Sequence, residues 1–233
     1  MRGRNLAFLV FSLAALALCL ALGFWQVERL EWKRAILAQM RERMAGEPFS
    51  PADVESRLRA GEDIEFLRVG ASGRFGEGQV RYFASHDGMV GWHLVSPFQT
   101  TDGETVLVDR GFVPDRALAE AAPAPKEPVT LTGIARAHAD GRGFFTPADK
   151  PAEGIFYAWS PAAMAEGLHA GQSLGFILHA EPAPGAPQWP SPRLPDPASI
   201  PNNHLQYAIT WFGLALALAV ITLLQLRRLR RPS

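Results

Sequence analysis

Few residues in this chain are equipped for chemistry. There are six histidines, His86, His93, His138, His169, His179 and His204, and one cysteine, Cys19. A single cysteine excludes an intrachain disulfide, a CxxC redox pair and a thiolate zinc or iron–sulfur cluster within one chain. No HExxH, GxSxG or P-loop pattern occurs, and no nucleophile, base and orienting group stand together, which argues against a hydrolase. Five of the histidines are scattered over strand and loop segments without metal-ligand spacing and read as surface or strand-face residues. His204 is different. It lies in Pro201-Asn202-Asn203-His204-Leu205-Gln206-Tyr207, at the start of an apolar run, with Tyr207 and Trp211 at i+3 and i+7. On a helix these put an imidazole, a phenol and an indole on one face. Such an imidazole could donate to a lipid phosphate. It could equally ligate the iron of a membrane-soluble cofactor such as haem, whose porphyrin needs an apolar slot between helices. Trp25, Tyr207 and Trp211 also suit an aromatic belt at headgroup level.

The elements that position these groups are read from hydropathy and charge. Leu6 to Trp25 and Tyr207 to Leu226 are each twenty residues without a charge, enough to cross a bilayer core of about 30 Å as a helix. A cleaved signal peptide is the competing reading of the first run, although the run is longer than a usual h-region. A lipoprotein anchor at Cys19 is disfavoured, because Leu18 stands where a small residue is needed. The 23 basic and 23 acidic residues are unevenly placed: all the acids lie between Glu28 and Asp196, while Arg2, Arg4, Arg227, Arg228, Arg230 and Arg231 lie outside the apolar runs. That bias makes both termini cytoplasmic, with Arg29, Lys33 and Arg34 opposing it at the first run. The middle of the chain keeps 17 basic residues against 23 acidic ones, a balance unsuited to nucleic acid. The first run begins at Leu6, with no room ahead of it for a mitochondrial presequence, and Arg outnumbers Lys 20 to 3 in an alanine-rich chain. The expected location is a bacterial inner membrane, with the central domain in the periplasm.

The expected fold is an α+β membrane protein in which two transmembrane helices flank one external, mainly antiparallel β domain with short helices. Its parts are a cytoplasmic N-terminus at 1–5, a first span at 6–25, a periplasmic domain at 26–206, a second span at 207–226 and a basic tail at 227–233. The first span should continue as a helix, since Trp25, Arg29, Trp32 and Ile36 share a face. Ser50-Pro51 and Ser160-Pro161 each open a short helix, with serine as N-cap and proline in the first turn. Gln79–Ser85, Val90–Phe98 and Glu104–Arg110, joined by Asp87-Gly88 and Asp102-Gly103, form a three-stranded meander. Phe66–Phe75, Val129–Ala137, Ile155–Trp159 and Phe176–Ala180 are further strands. Gly73 to Gly78 reads as a glycine-rich loop. Eight of the twenty residues from Pro182 to Pro201 are proline, so this stretch is an extended strap with Trp189 as its packing anchor. Gly213 and Ala217 form a small-xxx-small pair that permits close helix packing.

Several blocks together carry a resemblance. Leu22-Gly23-Phe24-Trp25-Gln26-Val27 with Arg29, Trp32 and Lys33 leaves the first span. Gly91-Trp92-His93 to Pro97-Phe98 is followed by Val106-Leu107-Val108-Asp109-Arg110-Gly111-Phe112-Val113-Pro114. Asn202-Asn203-His204-Leu205-Gln206-Tyr207-Ala208-Ile209-Thr210-Trp211-Phe212 enters the second span. In this order the blocks resemble the Surfeit locus protein 1 (Shy1-type) family of cytochrome c oxidase assembly factors. The sequence departs from the family pattern at Ala148-Asp149-Lys150, where asparagine-rich sequence is expected, and at Asp109, where asparagine is common. The resemblance implies a non-enzymatic assembly factor that assists haem a delivery to subunit I, with the haem a synthesis enzymes as further partners. It implies His204 as the haem iron ligand, with Trp25 and Trp32 flanking the slot beside Tyr207 and Trp211. A stable bis-histidine site would need two imidazoles at membrane depth, and only one histidine lies near either span, so haem would be held transiently. The alternative is a cofactor-free scaffold that docks on an oxidase subunit through Arg110, Gly111 and Phe112, where Gly111 makes a turn and Phe112 is the anchor. The same residues also read simply as a strand end with a proline stop.

Overall fold

A computed structural model describes residues 2–138 and 143–230 of the chain. The last three residues of the expected basic tail, 231–233, lie outside the described residues. The chain divides into two compact units, Met1–Met40 with Asp196–Ser233, and Arg41–Pro195.

The first unit is a pair of helices. α1 (Arg2–Ala45) is one uninterrupted helix through and beyond the apolar run, and α4 (His204–Arg230) contains the second run. Both are long and apolar enough to cross a membrane. Most of their large apolar side chains are exposed, including Phe11, Phe24, Ile209 and Leu216, as expected of surfaces that face lipid rather than a protein core. Besides Leu30 and Met40 of α1, buried positions include small or polar ones at heptad spacing: Ser12, Cys19 and Gln26 on α1, and Ala208, Ala215 and Thr222 on α4. A repeat of seven on both helices keeps one seam in register along each. Gly23 belongs to this seam, because a Cβ there would stand 2.7 Å from the Phe212 ring. The Gly213–Ala217 pair does not. Both residues are exposed, and nothing lies within 4 Å of where a Gly213 Cβ would be. The seam runs instead along the alanines one heptad apart.

The second unit is built on a seven-stranded sheet. Its strands are β1 (Arg68–Phe75), β2 (Val80–His86), β3 (Met89–Thr100), β4 (Thr105–Pro114), β5 (Val129–Arg136), β6 (Ile155–Phe156) and β7 (Ser173–Ala180), in the order β1-β5-β7-β4-β3-β2-β6. β1 also pairs with the end of β3, Phe75 opposite Phe98, so five strands close on themselves and β2 and β6 extend the sheet beyond the closure. The meander forms as expected, and Asp87 and Gly88 both take positive φ in its first turn, the geometry of a two-residue hairpin. β4–β7 and β2–β6 are parallel, so the sheet is mixed. Two expectations are corrected in detail. Gly73 lies inside β1, where its missing Cβ lets the Gln99 carbonyl come close, and only Gly76–Gly78 form the loop. The strand at Ile155 is two residues long, because Tyr157 and Ala158 instead donate their amides to the Asp149 carboxylate.

Both short helices start at the expected serines, whose hydroxyls accept the amides of Asp53 and Ala163. α2 (Pro51–Arg59) contributes Val54 to a core with Val69, Phe98, Val108, Phe176 and Leu178. α3 (Pro161–Gly167) contributes Met164 to a second core with Val95, Leu107, Phe156, Trp159 and Ile177. β4 is buried on both faces along nearly its whole length, as a central strand must be. Trp189 of the strap packs beside Leu94, Val113 and Ala117.

Candidate functional site

In the helical unit the sequence-predicted residues gather near the start of α4. His204 is the first residue of that helix and is half-buried. Its ring Nδ1–H donates to the side-chain carbonyl of Gln26 at 2.7 Å. Gln26 is buried in the seam, so this hydrogen bond ties α4 to α1 and fixes the imidazole tautomer with the proton on Nδ1. Nε2 is left with its lone pair and no hydrogen-bond partner among the described residues. A metal-ligating histidine has this arrangement: one nitrogen oriented by an outer partner, the other free to coordinate. Tyr207 and Trp25 are about half exposed, at 54% and 53%, and Trp211 is half-buried. Further along α1, the Arg29 guanidinium stacks over the Trp32 ring at 3.7 Å from its centroid, and the Lys33 ammonium donates to the Pro201 carbonyl. The pair thus offers one imidazole oriented by Gln26, with Tyr207 and Trp211 three and seven residues further along α4, and a single imidazole can make one bond to a haem iron. In the sequence Gln26 stands out only as part of the block that leaves the first span. Its spacing of seven from Cys19 on an apolar helix was the available signal that a polar side chain faces the seam.

The β unit holds a second constellation that the sequence reading did not assemble. His179 of β7, Asp109 of β4, His93 of β3 and His86 of β2 form a line across four neighbouring strands. Asp109 Oδ2 accepts from His93 Nδ1 at 2.8 Å, and His179 Nδ1 stands 3.1 Å from the same oxygen as a charge contact without a hydrogen bond. Its Oδ1 accepts the Gly111 amide at 2.9 Å. His93 Nε2 meets His86 Nε2 at 2.8 Å. His93 and His179 are therefore buried members of a network rather than surface or strand-face residues. His86 is half-buried at its outer end.

Burial opposes charge on Asp109, which is 2% exposed. The imidazoles of His93 and His179, the His93 hydrogen bond and the Gly111 amide overcome it and hold the carboxyl down at about 2. Burial likewise opposes charge on His93, but the adjacent Asp109 charge and hydrogen bond raise its pKa. For His179 burial prevails over Asp109 and brings it down to about 4, so this ring is neutral near pH 7, and its buried Nε2 has no hydrogen-bond partner among the described residues. Burial, followed by the neighbouring charges of His93 and Arg193, lowers His86.

Arg110, Gly111 and Phe112 are internal to this unit. Phe112 is fully buried at 0% exposure, edge-on to the His86 ring. Arg110 is buried too; its guanidinium donates to the Ala122 carbonyl and to Gln79. Gly111 sits within β4 rather than in a turn. It takes φ 123°, and a Cβ there would stand 2.3 Å from the Ser191 carbonyl carbon of the strap. The contacts these three residues make are intramolecular.

The fold and this site define a class: a protein anchored by a pair of apolar helices with one oriented histidine at their junction, carrying a mixed β domain between them. Comparison with known proteins narrows it. The SURF1 family model matches residues 13–216. Surfeit locus protein 1 of Mus musculus is 30% identical over 231 residues, covering 89% of this chain and 72% of its own length. The Homo sapiens protein of the same name is 29% identical, covering 84% and 70%. A SURF1-like protein of Rickettsia conorii is 27% identical and covers 98% of this chain and 92% of itself. The chain belongs to the SURF1 family, which is known for cytochrome c oxidase assembly factors.

Proposed function

We propose that this protein is a membrane-anchored assembly factor that holds haem a transiently and passes it to subunit I of cytochrome c oxidase. The observation that carries this reading is the His204–Gln26 hydrogen bond. It leaves Nε2 free on the only histidine of the helical pair. His204 would provide the axial nitrogen, while Trp25, Tyr207 and Trp211 would offer flat apolar surface to a porphyrin. The redox chemistry that haem a supplies belongs to the oxidase. One imidazole binds more weakly than two, which suits a carrier that must release its cargo. The arginine bias supports placing the protein in a bacterial inner membrane with both termini cytoplasmic and the β domain periplasmic. The haem a synthesis enzymes are the natural donors.

The test is complementation of a strain lacking this protein. With His204→Ala, membranes should contain reduced haem a in the oxidase while the variant accumulates at the normal level. Wild-type oxidase haem a content with this variant would reject the carrier reading and leave the cofactor-free scaffold.

A further inference from the structure

The line of histidines across the β unit is not used by the haem reading, and its outer end touches the proline-rich strap. Phe112 connects the two. Its ring stands edge-on to His86, with centroids 4.8 Å apart at 82°, and its amide and carbonyl exchange hydrogen bonds with Ser191 at 2.8 and 2.9 Å. Two glycines make this arrangement possible: a Cβ on Gly91 would stand 2.7 Å from the Phe112 ring, and one on Gly111 would meet the strap backbone at Ser191. Two residues on, Arg193 pairs with Asp87 at 3.2 Å, in the turn that follows His86.

We propose that His86, His93 and Asp109 form a proton-operated clasp, which holds strap residues Ser191–Arg193 across β4 while His86 is neutral and releases them when His86 takes up a proton. The geometry sets the logic. Two imidazole nitrogens 2.8 Å apart hold one proton between them, and Asp109 on the far side of His93 raises the His93 pKa and so favours the arrangement in which His93 donates to the Nε2 lone pair of His86. A second proton converts that lone pair into a donor. Two N–H groups then face each other, the hydrogen bond is lost, and two like charges stand beside the cationic Arg193.

The groups facing His86 are Asp87 on its own hairpin, His93 of β3, Asp109 and Phe112 of β4, and Arg193 of the strap, with His179 of β7 behind Asp109. Asp87 and Asp109 favour a proton on His86 but do not prevail. Burial and the neighbouring cations of His93 and Arg193 lower the His86 pKa, so the second proton enters below the ordinary imidazole range. His86 is the half-buried member of the line and the ring that can swing outward. Its departure uncovers one edge of Phe112 and loosens the Ser191 pairing. The strap joins β7 to α4 in the chain, so freeing these residues lengthens the slack before α4. The inference is independent of the haem reading.

Hydrogen exchange on the full-length protein in detergent, with EDTA present, tests it between pH 7.5 and 5.0. Protection factors are corrected for the intrinsic pH dependence of exchange. A peptide covering residues 187–193 should lose at least about tenfold protection as pH falls below 6.5, while β5 and β7 keep theirs. His86→Gln, which cannot take up the proton, should show no step. A flat wild-type profile would overturn the proposal, as would a step that persists in His86→Gln. A step seen only when EDTA is omitted would identify a metal ion rather than a proton and overturn it equally.

Discussion

The orienting partner of His204 is the most informative single residue in the helical unit. Gln26 contacts no cargo in this reading; it fixes which imidazole nitrogen is free. Outer partners of metal-ligating histidines typically contribute ten- to hundredfold in affinity, so Gln26→Leu should weaken haem retention by about that factor while the protein still inserts. The rate of haem transfer to an apo-globin acceptor measures it. In the β unit the residue that governs pH response is His179. Its folded pKa of about 4 lies below the ordinary 6.5, so the unfolded chain binds the proton more readily. Its contribution is complete above pH 6.5 and is lost as pH falls from 6.5 to about 4, on the order of 3 kcal/mol. His93 works in the opposite direction. Its raised pKa adds stability that is full below 6.5 and is lost as pH rises through the folded value. Urea unfolding at pH 7.5 and 4.5 should therefore show a smaller acid-side loss in His179→Gln than in wild type. This network was illegible residue by residue, because periodicity assigns side chains to faces and says nothing about which strands become neighbours. The one available signal was Asp109 itself, an acid within the apolar run Val106–Val113. A carboxylate in a strand buried on both faces requires partners.

At the scale of elements, both helices of the first unit and both serine-capped helices of the second were legible, because twenty-residue apolar runs and Ser-Pro starts are local signals. Which face of α4 packs was not. Small residues are frequent in apolar helices, and Gly213–Ala217 fits a packing motif as well as Ala208 and Ala215 do. The two faces are separable by experiment: Ala215→Phe should disrupt the α1–α4 seam and reduce haem retention, whereas Ala217→Phe, on the exposed side, should leave it unchanged. Haem-to-protein ratios of the purified variants report the difference. Gly111→Ala probes the strap crossing. The positive φ alone costs about 1–2 kcal/mol, and the contact with Ser191 adds to it. A loss of at least about 2 kcal/mol in urea unfolding is expected, against about 1 kcal/mol for Gly61→Ala, whose φ is 78° and whose Cβ would meet nothing within 4 Å.

For the whole molecule, the sequence pattern yields two apolar helices and most of the strands, but not the closure of the sheet. The pairing of β1 with β3 and the parallel pairing of β4 with β7 join segments far apart in the chain, and no turn residue encodes either one. The β4–β7 pairing brings His179 to Asp109 and completes the histidine line, whereas the His204–Gln26 contact needs only that two helices pack. That difference explains why His204 and its neighbours on one helix face are legible in the sequence and the histidine line is not. The most direct measurement for the carrier reading is the absorption spectrum of the detergent-purified protein from cells making haem a, wild type beside His204→Ala. A haem a spectrum in the wild type that is lost in the variant, with both proteins intact and inserted, is the expected result. Equal haem a content in the two proteins, or a folded wild type without haem, would contradict it.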